Sequence, residues 1–452
     1  MRLRYIWTLF FIMTSFLLFA CGGSDKNSAD TTSPTVPNGL KVMATNSNSV
    51  YLEWTASTDN IAVTGYKIYR DGNYLKSVAT TTTSDTGRNA STQYCYTISA
   101  YDAAGNDSGE NSQACAKTWT ISAIDSTGSV GVASSIARDS NDKLYISYYD
   151  GTNNAVKCIS NVTGTWAVST VDNNIGNVSG NISTAIVIDS TDNVHISYGS
   201  YSRQKLMYAT VSAGTWTTSA IDSGTMRQTS IATDSNNKIH ISYYDQSTGA
   251  FKYATNSSGT WAITTIDTVG GGGSSSIAVD SNNKVHISYH GSYSGPYYDL
   301  MYATNASGLW TKSVVDAGTT DNSAVVALAR DSNDKIHISY YDAMNADLKY
   351  ATNASGIWIT STIDNTTYTG VVSSIAVDSN NNIHVAYNYF DATGTDLKYA
   401  TKMGDVWVTS ILDSIGDMGL YYSITLDSNN KANISYWDGT FTNQDLKYAT
   451  NR

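Results

Sequence analysis

The chain has 452 residues, 41% of them hydrophobic, and a formal net charge of −11. An acidic balance of this size excludes nucleic acid as a partner, because phosphate binding rests on clustered Lys and Arg. It suits a soluble, surface-facing protein instead.

The first twenty residues read as an export signal. Arg2 and Arg4 give a positive start, Tyr5 to Phe19 is almost unbroken apolar chain, and Ala20-Cys21 closes it. The stretch Leu18-Phe19-Ala20-Cys21 resembles a bacterial lipobox. That resemblance implies a signal peptide over 1–20 and a lipidated N-terminus at Cys21; an ordinary export signal with a chance cysteine is the other reading. Gly22 after the cysteine, rather than Asp, resembles the outer-membrane default. No later run reaches the roughly 18 apolar residues of a spanning helix, so the lipid is the expected hold on the membrane. Residues 21–36 are rich in Ser, Thr, Asp and Asn and are expected to form a flexible tether.

Residues 37–118 alternate in short runs, as in Val50-Tyr51-Leu52-Glu53-Trp54 and Tyr94 to Tyr101, with Asp71-Gly72 as a hairpin turn. Pro37, Leu40, Trp54, Gly65-Tyr66, Tyr69-Arg70-Asp71-Gly72, Tyr94 and Ala100 to Asn106 resemble a fibronectin type III domain of bacterial extracellular proteins. The resemblance implies a β-sandwich acting as a spacer. It also makes the strands of Cys95 and Cys115 neighbours, which implies a cross-strand disulfide, two free thiols being the alternative. Cys158 is left over.

From there the chain repeats. Trp119, Trp166, Trp216, Trp261, Trp310, Trp358 and Trp407 recur at gaps of 45 to 50 residues, each followed six positions later by Asp. Every period holds four short runs of β-branched and aromatic residues, divided by Ser, Asn, Asp and Gly turns. Residues 119–452 thus resemble seven-bladed β-propellers of the sialidase-like or lectin type. The whole chain is expected to be all-β: a fibronectin type III β-sandwich, then a seven-bladed propeller. The last period supplies three strands, so the ring is expected to close with the N-terminal outer strand from Trp119 to Asp125.

With the Trp strand outermost, one face carries the recurring Asp-Ser turns and the other carries loops that differ in every repeat. Five histidines (His195, His240, His286, His337, His384) share one strand position near the recurring turn, where a hydrogen-bonded structural role is expected rather than a metal site. The recurring tyrosines at 148, 198, 243, 289, 340, 387 and 436 are expected to pack between blades with their hydroxyls bonded. Each turn aspartate is expected to be an Asx-type turn residue. No cofactor or metal is implied.

Specificity is expected where the repeats disagree. The candidates on the variable face are Tyr149, Asp150, Tyr201, Arg203, Arg227, Tyr244, Asp245, His290, Tyr293, Tyr341, Asp342, Tyr389, Asp391, Trp437 and Asp438. Aromatic rings beside carboxylates suit sugar rings, and equally a protein partner. No glutamate follows Trp119, and the sialidase pattern of clustered Arg with a Tyr–Glu pair is missing. The expected function is therefore non-catalytic binding of an extracellular glycan or protein by a monomeric envelope lipoprotein. The alternative is a carbohydrate-active hydrolase or lyase using Asp, Tyr or His. Because the first Trp strand begins on the recurring-turn face, the variable face should point away from the membrane. Protease labelling of intact cells should reach its loops; labelling of the spacer alone would contradict that orientation.

Overall fold

The computed structural model describes residues 29–176, 183–268, 273–293, 297–321, 324–392, 394–404, 406–419, 421–440 and 443–452. The leader with Cys21, and the side chains of Ser292, Tyr293, Met403 and Asn443, lie outside the described residues. The described chain is all-β: every element is a strand, and no helix is long and apolar enough to cross a membrane.

The first two sheets face each other. One joins Asn38–Ala44, Ser49–Thr55 and Thr82–Thr86; the other joins Asn73–Val78, Val63–Arg70, Gln93–Asp102 and Ala114–Lys117. Leu52, Trp54, Tyr66, Ile68, Tyr96 and Ile98 fill the space between them. Cys95 and Cys115 are directly opposed partners and are disulfide-bonded across 20 residues of sequence. Closing a loop of that size stabilises the fold by about 3 kcal/mol on a chain-entropy account. The expected tether ends earlier than position 36. Asn106 donates to the Asp30 carbonyl, Thr35 bonds Thr58 through main chain and side chain, and Pro34 is buried.

Seven antiparallel four-stranded sheets follow, none closed on itself. The third is typical: Met226–Thr233, Ile239–Asp245, Ala250–Thr255 and Ala262–Asp267 in spatial order. The last unites Ser423–Leu426, Ala432–Thr440 and Asn443–Thr450 with Thr120–Asp125 from the start of the repeat. First strands of successive sheets lie side by side, and that of the seventh lies against that of the first. Because each sheet is covered on both faces, second strands such as Ile239–Asp245 are buried at every residue. Ile239, Ile241 and Tyr243 turn to one neighbour, His240, Ser242 and Tyr244 to the other.

Three sets of contacts join the sheets. At the end of each outer strand, the Trp-period aspartate accepts a hydrogen bond from the buried tyrosine of the next sheet. Examples are Tyr148 to Asp125 at 2.5 Å, Tyr198 to Asp172 at 2.6 Å and Tyr436 to Asp413 at 2.8 Å. At the other end, the Trp ring meets a tyrosine of the preceding sheet edge-on, as in Trp261 with Tyr208 and Trp358 with Tyr302, at about 5 Å. That tyrosine bonds a histidine Nδ1 (Tyr208 with His195, Tyr253 with His240), and the histidine Nε2 faces the turn aspartate.

The third set was hidden in the recurring turns. Each turn serine donates its backbone N–H to an Asp or Asn of the next sheet's turn: Ser140 to Asp192, Ser190 to Asn237, and so on until Ser428 reaches Asp142 of the first sheet. Every acceptor sits at a positive φ near 60°, which Asp and Asn tolerate better than other non-glycine residues. The turn aspartates also behave as expected, Asp139 accepting the N–H groups of Asn141 and Lys143.

Among the described residues Asp125 has no lysine to share its charge, unlike Asp222, Asp316, Asp364 and Asp413. Tyr148→Phe should therefore cost about 1–3 kcal/mol by leaving a buried carboxylate oxygen without a donor, read from urea unfolding. Tyr340→Phe, whose Asp316 keeps Lys349, should cost less; equal losses would contradict this account.

Candidate functional site

The second strands all end on the face opposite the recurring turns, and the residue after the buried tyrosine varies among the sheets. It is Tyr149, Gly199, Tyr244, His290, Tyr341, Asn388 and Trp437 in chain order. Four sheets then place an aspartate: Asp150, Asp245, Asp342 and Asp438, exposed by 0%, 0%, 2% and 6%. These carboxylates cap the following turn. Asp150 accepts from Asn153, Asp245 from Ser247 and Thr248, Asp342 from Asn345, and Asp438 from Thr440. Each also meets a lysine of the third strand: Lys157 at 2.5 Å, Lys252 at 2.8 Å, Lys349 at 3.5 Å and Lys447 at 3.4 Å. Burial opposes the Asp245 charge, yet Lys252, Ser247 and Thr248 hold its pKa below the usual carboxylate range. The signal was in the sequence, because the sheets with Asp there carry Lys on the next strand, whereas the second and fourth carry Met207 and Met301.

Other candidates are spread out. Tyr201 is exposed, and Arg203 is paired with Asp172. Tyr149 bonds Asn154. Tyr389 lies under the Lys398 ammonium at 4.9 Å, and exposed Asp391 caps the amide of Gly394. Half-buried Trp437 packs on Tyr421 and against Gly419, where any Cβ would collide with its ring. Tyr293 ends its strand opposite Tyr298, its side chain outside the described residues.

A group spanning the third to fifth sheets does come together. Arg227 is the backbone partner of Tyr244, and the Tyr244 hydroxyl feels both Arg227 and Tyr298. Burial raises the Tyr341 pKa, with Asp321, Tyr368 and Tyr297 as charged or ionisable neighbours. Asp321 is also the neighbour of His290, which has 0% exposure and no hydrogen bond on either ring nitrogen. Burial holds the His290 pKa down at about 4, Asp321 opposing, so the ring is neutral at physiological pH.

The gap in hydrogen bonding has a cause in the sequence. In other sheets the serine two residues before this position bonds a hydroxyl of the next sheet, as Ser242 does with Ser275 and Ser339 with Ser373. The position facing Ser288 is filled by Val326, so the buried Ser288 hydroxyl has no partner, and neither does the Thr319 hydroxyl. This departure from the repeat, together with Asp321, was missed by sequence reasoning that looked for aromatic residues and carboxylates.

Exceptions at the histidine position are compensated, whereas Asn388 Nδ2 and Trp437 Nε1, at the His290 position of the sixth and seventh sheets, are also buried without a partner. In the first sheet Tyr145 replaces histidine and Cys158 replaces its tyrosine partner; a larger ring meets a smaller side chain, and Tyr145 reaches Asp139 directly. Burial pushes the Cys158 thiol up to about 12, leaving it an inert filler. In the seventh, Asn433 accepts from Tyr448, and Arg452 takes the turn aspartate Asp427. Oxygens of Asp30, Asp59 and Asp102 lie within 4.8 Å of one another beside the first two sheets, the one such group among the described residues with the donor set for a cation.

No family model matches the chain. It is 51% identical over 77 residues to exoglucanase B of Cellulomonas fimi, covering 17% of this chain and 7% of that protein. It is 48% identical over 84 residues to a chitinase of Paenibacillus xylanexedens, covering 19% and 16%. The chain thus spans well under a quarter of the length of these curated relatives. Among solved structures, AofleA from Arthrobotrys oligospora aligns at TM-score 0.45 and 12% identity, covering 66% of this chain and 91% of that one. The polysaccharide lyase Uly1 aligns at TM-score 0.46 and 11% identity, covering 73% and 90%.

His290 makes a pH prediction. Its folded pKa of about 4 lies below the ordinary 6.5, so the unfolded chain takes up the proton first as pH falls. Its contribution to stability is therefore full above about pH 6.5 and is lost progressively as pH falls toward 4. His195, His240, His286 and His337 shift the same way, while the depressed carboxylates act at lower pH. His290→Asn, using the sixth sheet's residue, should flatten the loss of urea stability between pH 7 and 5. An unchanged slope would show that His290 is solvated.

Proposed function

We propose that this protein is an exported, surface-held glycan-binding protein. The proposed organisation is a lipid anchor at Cys21, a fibronectin type III spacer over 37–118, and a seven-bladed propeller over 119–452. Support for the ring comes from the pairing of Thr120–Asp125 with Asn443–Thr450 and from the contact of the seventh sheet with the first. Burial of Trp119, whose indole donates to the Ala44 carbonyl, ties the spacer to the closing strand.

The observation that carries the binding reading is a pair of neighbour sets on the variable face, Arg227 and Tyr298 about Tyr244, and Tyr297, Asp321 and Tyr368 about Tyr341, with Asp321 also beside His290. Tyrosine rings give flat apolar faces with a polar edge, and the Arg227 guanidinium and Asp321 carboxylate add donors and acceptors, the mix that sugar rings require. The relatives named for cellulose- and chitin-type enzymes support a polysaccharide environment for the spacer. A second reading, a hydrolase or lyase, draws on one feature: a neutral histidine beside Asp321 and within reach of the same tyrosine group.

Binding of the full-length protein to a polysaccharide panel tests this. Tyr341→Ala and Tyr244→Ala should each weaken binding roughly tenfold or more, whereas Trp437→Ala, on the far side of the face, should change it little. Product release that vanishes in His290→Asn would favour the enzyme. No binding to any glycan would sink the proposal.

A further inference from the structure

Every other described arginine meets a carboxylate: Arg70 and Arg88 at Asp85, Arg138 at Asp142, Arg203 at Asp172, Arg330 at Asp334 and Arg452 at Asp427. Arg227 has no such partner among the described residues, and its Nε is buried without a hydrogen bond. The neighbouring Gln228 also has a buried, unmatched Oε1. A donor and an acceptor on successive residues thus have no partner within the protein, a state that calls for an explanation.

The backbone explains how they come to be there. Pairing skips a residue between Arg227, opposite Tyr244, and Thr229, opposite Tyr243; the extra residue, Gln228, has φ 44°. The first sheet has the same bulge, with Val132 opposite Tyr149 and Ala133 at φ 56°. There the two side chains are small and apolar, so the bulge belongs to the fold and does not call for polar residues. In the third sheet the same bulge carries an arginine, which neighbours Tyr244, and a glutamine.

We propose that Arg227 and Gln228 read an anionic group, so that the ligand is an acidic polysaccharide bearing carboxylate or sulfate. This rests on the glycan-binding reading above and narrows it. A guanidinium offers two parallel N–H donors to such a group, and Gln228 accepts from an adjacent sugar hydroxyl. With a net charge of −11, the protein gains nothing from long-range attraction to a polyanion. Recognition therefore depends on this short contact rather than on a basic patch, and salt should weaken it only modestly.

The test is binding of the full-length protein to polygalacturonate and alginate (carboxylate), carrageenan (sulfate), and the neutral polymers cellulose, chitin and carboxyl-reduced polygalacturonate. At least one acidic polymer should bind tenfold or more tighter than every neutral one. Arg227→Gln should erase that preference, and Arg227→Lys should restore part of it. Thermal melting should be unchanged in both variants, because Arg227 holds no ion pair. Binding confined to neutral polymers, or an Arg227→Gln protein that still prefers the acidic one, overturns the inference and leaves glycan binding standing. Absence of binding to all six polymers, with Tyr341→Ala no different from the unaltered protein, removes both.

Discussion

A carboxylate held between two β-sheets must be given hydrogen-bond donors, and for the aspartate that ends each outer strand one donor is always a tyrosine from the next sheet. That contact fixes much else. The tyrosine must sit at the same height on every second strand, the aspartate must close every outer strand, and the loop between them may vary, so that the two lie 21 to 26 residues apart along the chain. The Trp-to-Asp period follows, since the outer strand is gripped at both ends: its aspartate by the following sheet, its tryptophan by the preceding one. Each sheet has two covered faces and little core of its own, so its stability is shared with its neighbours.

Regularity of this kind separates structural polar residues from available ones. Five histidines look like a metal-binding series until each is seen between a tyrosine hydroxyl and a turn aspartate. Where the series breaks, the substitutes form their own balanced sets, Tyr145 with Cys158 and Asn433 with Arg452's hold on Asp427. His290 and Arg227 differ because both ring nitrogens of the one and the Nε of the other find no hydrogen bond within the protein.

Much of this was legible in the sequence. The seven repeats, the four strands in each, the strand that completes the last sheet and the roles of the recurring Tyr, His and Asp all follow from period, alternation and turn chemistry, because they repeat and must obey the same contacts seven times. The site was legible only as a face. Asp150, Asp245, Asp342 and Asp438 resembled ligand groups, since a single sequence does not display the third-strand lysines that consume them until the repeats are laid over one another. The docking of Asp30 to Asn106 was invisible, because a polar segment reads as tether whether or not a partner accepts it.

The opposite error is more instructive. Val326 is an ordinary strand residue, and in isolation it suggests only packing. Set in the place where the equivalent positions offer Ser275 and Ser373, it removes the partner of Ser288 and leaves a polar gap one step from His290. An apolar residue thereby creates a polar vacancy, which no search for chemically active side chains detects. In a repeat held together by reciprocal hydrogen bonds, the loss of a partner is as informative as the gain of a functional group, and the third and fourth sheets show it at Arg227, Gln228, Ser288 and His290.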